Sequence, residues 1–203
     1  MKIIAVGRNY AAHARELNNP VPGQPVIFLK PDTAALKDNR PFYLPDFSAD
    51  IHYELEVVLK ISREGKHIAE KFAHNYYEEL GLGVDFTARD IQAKHKEQGL
   101  PWELAKAFDN SAAISPFLPK SGIPDIYGIH FDLQINGETR QQGNTANLLF
   151  SFEHIISFVS RYITLKKGDL IFTGTPEGVG RVQQGDHLEA SLNGTQLLSF
   201  DIK

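Results

Sequence analysis

Ile51-His52-Tyr53-Glu54-Leu55-Glu56-Val57-Val58-Leu59-Lys60 alternates with a period of two. Such alternation marks a strand, because successive side chains leave a pleated backbone on opposite faces. Ile51, Tyr53, Leu55, Val57 and Leu59 share one face; His52, Glu54, Glu56, Val58 and Lys60 share the other. Outward from this stretch, residues 25–30, 82–86 and 169–173 are strand-like. So are residues 129–136 and 188–192, broken by the turn signals Asn136-Gly137 and Asn193-Gly194. Helical patterns are fewer. Residues 9–17 form a short one before the prolines at 20 and 22, and residues 69–80 another, stopped by Gly81. Thr87 opens a third, with Asp90 three residues later in a capping-box arrangement. Residues 151–162 are apolar at helical spacing through Phe152, Ile155, Ile156 and Val159. Strands outnumber helices and rarely alternate with them. This predicts a β-rich α+β fold rather than a doubly wound sheet.

Composition narrows the function. The chain has 203 residues and neither a linker nor an internal repeat, so one domain over 1–203 is expected. It has no cysteine, which excludes disulfide scaffolds, thiolate zinc sites, iron–sulfur clusters and cysteine nucleophiles. Twenty-one Lys and Arg against 25 Asp and Glu give a net charge of −4 with no long basic run, which argues against a nucleic-acid partner. Arg8 comes too soon for a signal-peptide core, and no stretch approaches the ~20 apolar residues of a membrane span. A cytoplasmic protein is the expectation.

Several residues stand out chemically. Glu54 and Glu56 project side by side from one strand face. They are either the wetted face of a half-exposed strand or two hard oxygen ligands aimed at one cation. Asp85 ends the apolar run Gly81-Leu82-Gly83-Val84, where an ionised carboxylate needs a cation or several hydrogen bonds. Three carboxylates without cysteine match an open site for Mg²⁺, Mn²⁺ or Ca²⁺ rather than zinc. Lys106 lies among apolar neighbours; it either snorkels to water or balances the carboxylates and stabilises an oxyanion. His13 and Glu16, at i and i+3, share one face of the first helix. Taken alone they read as a solvated surface, although a carboxylate that orients an imidazole also suits general-base work. Ile171-Phe172-Thr173-Gly174-Thr175-Pro176-Glu177-Gly178-Val179-Gly180 runs from a strand into a glycine-rich loop. Such a loop can turn N–H groups and a hydroxyl toward an anion, or simply join two strands.

Together with Gly7-Arg8-Asn9-Tyr10-Ala11-Ala12-His13, Phe28-Leu29-Lys30-Pro31, Val84-Asp85-Phe86-Thr87-Ala88-Arg89-Asp90-Ile91-Gln92 and Gly99-Leu100-Pro101-Trp102, these segments span nearly the whole chain. They resemble the fumarylacetoacetate hydrolase family, especially its small acylpyruvase and oxaloacetate-processing members. The resemblance implies a mixed β-sandwich roll with peripheral helices, and a homodimer. It implies Glu54, Glu56 and Asp85 as metal ligands, His13 and Glu16 as the water-activating dyad on a lid helix, and Lys106 as the enolate-stabilising lysine. Arg89, Gln92, Gly174, Thr175 and Lys30 match positions beside the substrate. Large members carry an extra N-terminal domain, and a fourth carboxylate ligand where this chain has Val6. Water is expected in that position, favouring Mg²⁺, then Mn²⁺, over Ca²⁺ and arguing against fumarylacetoacetate itself.

The resemblance therefore implies a divalent-metal-dependent enzyme for a small 2-keto or 2,4-diketo acid. C–C hydrolysis of an acylpyruvate through a pyruvate enolate comes first, because a water-activating dyad is present. Oxaloacetate decarboxylation or keto–enol tautomerisation is the alternative at the same site. A glycosidase would leave Asp85 and Lys106 unexplained. A non-catalytic keto-acid-binding protein would not need the His–Glu pair.

Overall fold

The alternating stretch at 51–60 folds as two strands that part at Glu54. The structure, a computed structural model, describes residues 1–17 and 20–203. In chain order its first elements are β1 (Ile3–Gly7), α1 (Ala11–Glu16), β2 (Val26–Lys30), β3 (Ala35–Leu36), β4 (Ile51–Tyr53) and β5 (Leu55–Ile61). Next come α2 (Glu70–Ala73), β6 (Tyr77–Asp85), β7 (Thr87–Ala88), α3 (Arg89–Gln98), α4 (Glu103–Lys106), β8 (Ala112–Ile114) and β9 (Leu118–Pro119). The last are β10 (His130–Ile135), β11 (Glu138–Asn144), α5 (Phe152–Tyr162), β12 (Leu170–Phe172), β13 (Gly180–Arg181), β14 (His187–Leu192) and β15 (Thr195–Asp201).

An 8-stranded sheet runs β2-β1-β12-β5-β6-β8-β3, with β9 also on β6. It is mixed: β1 with β12 and β3 with β8 are parallel, while the other pairs are antiparallel. A 4-stranded antiparallel sheet runs β11-β10-β14-β15, and a 3-stranded one runs β13-β4-β7. The predicted β-rich α+β class is what forms.

Period-two alternation explains where the core sits. Leu55, Val57 and Leu59 point into the main core with Leu82 and Val84 of β6, Leu133 of β10, Leu188 of β14 and Ile155 of α5. Val58, one step out of phase, points the other way and packs with Ile3, Leu170 and Phe172. The centre of the large sheet is thus buried on both faces. The helical spacing over 151–162 forms α5, which Ser151 caps by accepting from the His154 N–H at 3.1 Å.

Two helical expectations fail. Only residues 70–73 of the 69–80 pattern are helical; Tyr77 onward is strand, and Gly81 lies inside β6 instead of ending a helix. Pairing with β5, in the register Leu59↔Leu80, Val57↔Leu82 and Leu55↔Val84, overrides the local helical spacing. The glycines of β6 serve close packing: a Cβ on Gly83 would stand 2.4 Å from the Phe172 ring. Nor does Thr87 cap a helix. It sits in β7, Ala88 precedes α3, and Asp90 instead accepts from Ser48 Oγ at 2.7 Å and the Ile91 N–H at 2.8 Å. No helix among the described residues is long and apolar enough to cross a membrane.

Candidate metal centre and substrate pocket

The break between β4 and β5 places Glu54 at the end of the large sheet, and Glu56 follows on the same side. Asp85 ends β6 beside them, its N–H donating to Glu54 O at 2.8 Å. Each of the three carboxylates offers an oxygen, and these lie within 4.8 Å of one another. Glu54 is 6% exposed, Glu56 2% and Asp85 0%. The reading of a wetted strand face is therefore excluded.

Three buried like charges need compensation. Lys106, also buried, donates to Glu54 Oε2 at 2.8 Å, Asp85 Oδ2 at 2.7 Å and Thr87 Oγ1 at 2.5 Å, so it does not snorkel to water. Arg89 Nη2 donates to Glu54 Oε1 at 2.6 Å. Lys30 Nζ lies 2.6 Å from Asp85 Oδ1 and donates to Ser111 O at 2.8 Å and Ser111 Oγ at 3.0 Å. Burial opposes the charge on Lys106, but Asp85 and Glu54 outweigh it and raise its pKa. Burial also opposes the charge on Glu54, yet Lys106 and Arg89 hold its carboxyl well below the usual range. Among the described residues Glu56 forms no ion pair, although the Lys106 charge favours its ionised form. Burial, then Asp85 and Glu54, push it well above the usual range, against the pull of the Gly174 N–H at 2.6 Å.

One observation fits a cation here: Glu56 is a buried carboxylate crowded by Asp85 and Glu54. An all-oxygen donor set of carboxylates fits a hard divalent ion.

His13 and Glu16 reach the same place from α1. His13 is 5% exposed, and its Nδ1 is 3.1 Å from Glu16 Oε2. Glu16 Oε1 accepts from the Gly178 N–H at 2.9 Å, so the pair is held to the glycine-rich loop. One pocket is lined by His13, Glu54, Glu56, Arg89, Gln92, Lys106 and Thr175. Arg89 Nη1 donates to Gln92 Oε1 at 2.8 Å, and Thr175 Oγ1 accepts from Gln141 Nε2 at 2.8 Å. Two residues expected beside substrate touch the triad without lining this pocket. Lys30 is fully buried beneath Asp85, and the Gly174 N–H is spent on Glu56, because compensating buried carboxylates takes precedence.

Sequence reading missed two supports. Asn9, fully buried, donates through Nδ2 to Thr173 O at 2.8 Å and Phe150 O at 3.1 Å, and accepts at Oδ1 from the Phe150 N–H at 2.8 Å. Gln141 accepts from the Leu55 N–H at 2.8 Å. Their partners lie far away in sequence, and no local pattern announces such bonds.

The family described as "Fumarylacetoacetate (FAA) hydrolase C-terminal" matches residues 2–202. The chain belongs to the fumarylacetoacetate hydrolase family. It is an enzyme of that family, and its strand-rich fold is the family's. Within it, the chain is 43% identical over 201 residues to the mitochondrial oxaloacetate tautomerase of Mus musculus, covering 99% of this chain and 91% of that protein. It is 40% identical to the mitochondrial oxaloacetate decarboxylase of Dictyostelium discoideum, over 99% and 93% of the two. Among solved structures it is similar to a fumarylpyruvate hydrolase from Pseudomonas aeruginosa in complex with Mn²⁺ and pyruvate. There the TM-score is 0.94 at 37% identity, over 100% of this chain and 89% of that one.

Proposed function

We propose that this protein acts on small 2-keto acids through an enolate, with keto–enol tautomerisation of oxaloacetate as its reaction. The observation that carries this reading is one pocket lined by Lys106, by Glu54 and Glu56 of the buried carboxylate triad, and by His13, whose Nδ1 meets Glu16. The names of relatives at 40–43% identity support oxaloacetate as substrate.

Glu54, Glu56 and Asp85 would hold a divalent ion, Mg²⁺ or Mn²⁺ in preference to Ca²⁺, which would supply Lewis-acid stabilisation of negative charge on a 2-keto oxygen. Lys106 adds a second positive charge on the same side. Glu16 engages Nδ1 of His13 and orients the ring, leaving Nε2 for the substrate. His13 takes a proton from C3, the electron pair moves to the C2 oxygen, and return of that proton from His13 to the oxygen completes the enol and restores the neutral imidazole. Arg89 and Gln92 orient the substrate. Packing of α1 across the pocket excludes bulk water.

The dyad also favours a second reading, cleavage of an acylpyruvate. His13 would take a proton from water, and hydroxide would add at C4. The C3–C4 bond would then break toward the pyruvate enolate. The solved fumarylpyruvate hydrolase supports this chemistry on the same fold. Both readings are tested by one panel: oxaloacetate enol–keto conversion followed by ultraviolet absorbance, and acylpyruvate cleavage, each with Mg²⁺, Mn²⁺ or EDTA. Metal-dependent, EDTA-sensitive conversion of oxaloacetate is expected. Turnover of acylpyruvates alone would make hydrolysis the function, and turnover of neither would overturn both.

A further inference from the structure

Four cationic side chains line the pocket: Arg8, Arg89, Lys96 and Lys106. Arg89 and Lys106 are ion-paired with the carboxylate triad. Among the described residues, Arg8 and Lys96 have no ion-pair partner. Both stand over the Trp102 ring, the Arg8 guanidinium 5.8 Å from its centroid and Lys96 Nζ 5.7 Å. Trp102 meets Phe28 edge-on at 6.1 Å, and Lys106 Nζ lies 5.1 Å from the Phe28 centroid. An aromatic wall thus runs from the triad to a pair of free cations at the pocket mouth.

Arg8 has a φ of 61°, a region that residues with a Cβ rarely enter. That conformation sits between β1 and the buried Asn9, at the entry to α1. Strain held at such a point is a pointer to function. Partial burial, with Arg8 and Arg89 beside it, lowers the Lys96 pKa. The cations therefore repel one another until an anion joins them.

We propose that Arg8 and Lys96, seated on Trp102, bind a second, distal carboxylate, so that the pocket selects 2-keto diacids over 2-keto monoacids. This rests on the 2-keto acid reading above, whose oxaloacetate is already a diacid, and adds the residues that recognise the second carboxylate. A 2-keto monoacid would satisfy the triad end and leave both outer cations unpaired. A diacid neutralises both ends, with Trp102 and Phe28 along its carbon chain.

The test uses ligand pairs of matched length: 2-oxoglutarate with 2-oxovalerate, and 2-oxoadipate with 2-oxohexanoate. Dissociation constants are measured by calorimetry on the Mg²⁺-loaded protein, independently of turnover. At one length or both, the diacid should bind about 10-fold more tightly, and the preference should shrink as salt rises. Arg8→Gln and Lys96→Gln should each cut it to below about 3-fold by weakening the diacid, whereas Arg8→Lys should retain part of it. Equal affinities within both pairs, or equal weakening of diacid and monoacid in the variants, would overturn the distal subsite alone. Failure of all four acids to bind the wild-type protein would overturn the 2-keto acid reading with it.

Discussion

Glu16 accepts a hydrogen bond from the Gly178 N–H at 2.9 Å while its other oxygen meets His13 Nδ1 at 3.1 Å. One side chain therefore orients the imidazole and fastens α1 to the glycine-rich loop. The helix has six residues, too few to be stable alone, so its position depends on such ties. Closure over substrate should reinforce them. Hydrogen exchange over residues 11–17 should slow when oxalate is added to the Mg²⁺-loaded protein, and Glu16→Ala should lose that gain. Equal protection with and without oxalate would mean a preformed site and no lid. His13→Ala should lower kcat by about 10²–10⁴-fold while leaving Mg²⁺ affinity intact.

The second prediction concerns the ion. Glu56 is buried, flanked by acids and, among the described residues, without an ion pair of its own, so a divalent ion should bind where Glu56 and Asp85 converge. Asp85→Asn and Glu56→Gln should each weaken Mg²⁺ binding, measured by calorimetry, by at least the roughly 10–100-fold typical of losing a supporting residue. Undiminished affinity in both would remove these residues from the ligand set.

How much of this was legible in sequence depends on whether the signal was local. Glu54 and Glu56 were, because alternation in one strand fixes which side chains share a face. Asp85 stood out as a charge ending an apolar run, but its meeting with the pair depends on the β5–β6 register, in which Leu55 faces Val84. That register is also why residues 77–80 are strand in spite of helical spacing. His13 and Glu16 looked like a solvated face because what buries His13 comes from other segments. Asn9, Gln141 and the pairing of Arg8 with Lys96 over Trp102 carry no local pattern at all. The family resemblance supplied roles that periodicity could not. It did not include how buried charge is compensated, which is what Lys30 does at Asp85 and the Gly174 N–H at Glu56.

Lys106 offers a third test, in which activity and stability separate. Its charge opposes that of an enolate, which grows toward the transition state, so Lys106→Met should lower kcat by about 10²–10³-fold with KM little changed. Unchanged kcat with raised KM would make Lys106 a substrate-binding group only. The same variant leaves Glu54 and Asp85 short of a buried partner, at a cost of about 3–5 kcal/mol without metal. Mg²⁺ should restore much of its Tm, since a ligand that binds the folded state stabilises it by mass action.

The last prediction tests the anchor of α1 away from the titrating groups. Asn9 holds the chain just before the helix through Thr173 O, Phe150 O and the Phe150 N–H. Those partners lie after β12 and just before α5, so one side chain joins the entry to α1 to the glycine-rich loop and to the helical layer. Asn9→Ala removes all three bonds and leaves buried backbone groups unsatisfied, which costs about 1–3 kcal/mol for each group that water cannot reach. Asn9→Asp keeps the acceptor for Phe150 N–H but turns both donor contacts into repulsion between oxygens. Denaturant unfolding should therefore rank wild type above both variants. Hydrogen exchange should place the faster-opening segment at residues 9–17, with β5 and β6 unchanged. If Asn9→Ala loses stability evenly across the fold, with no extra exchange in α1, the Asn9 side chain is an ordinary core group and does not anchor the helix.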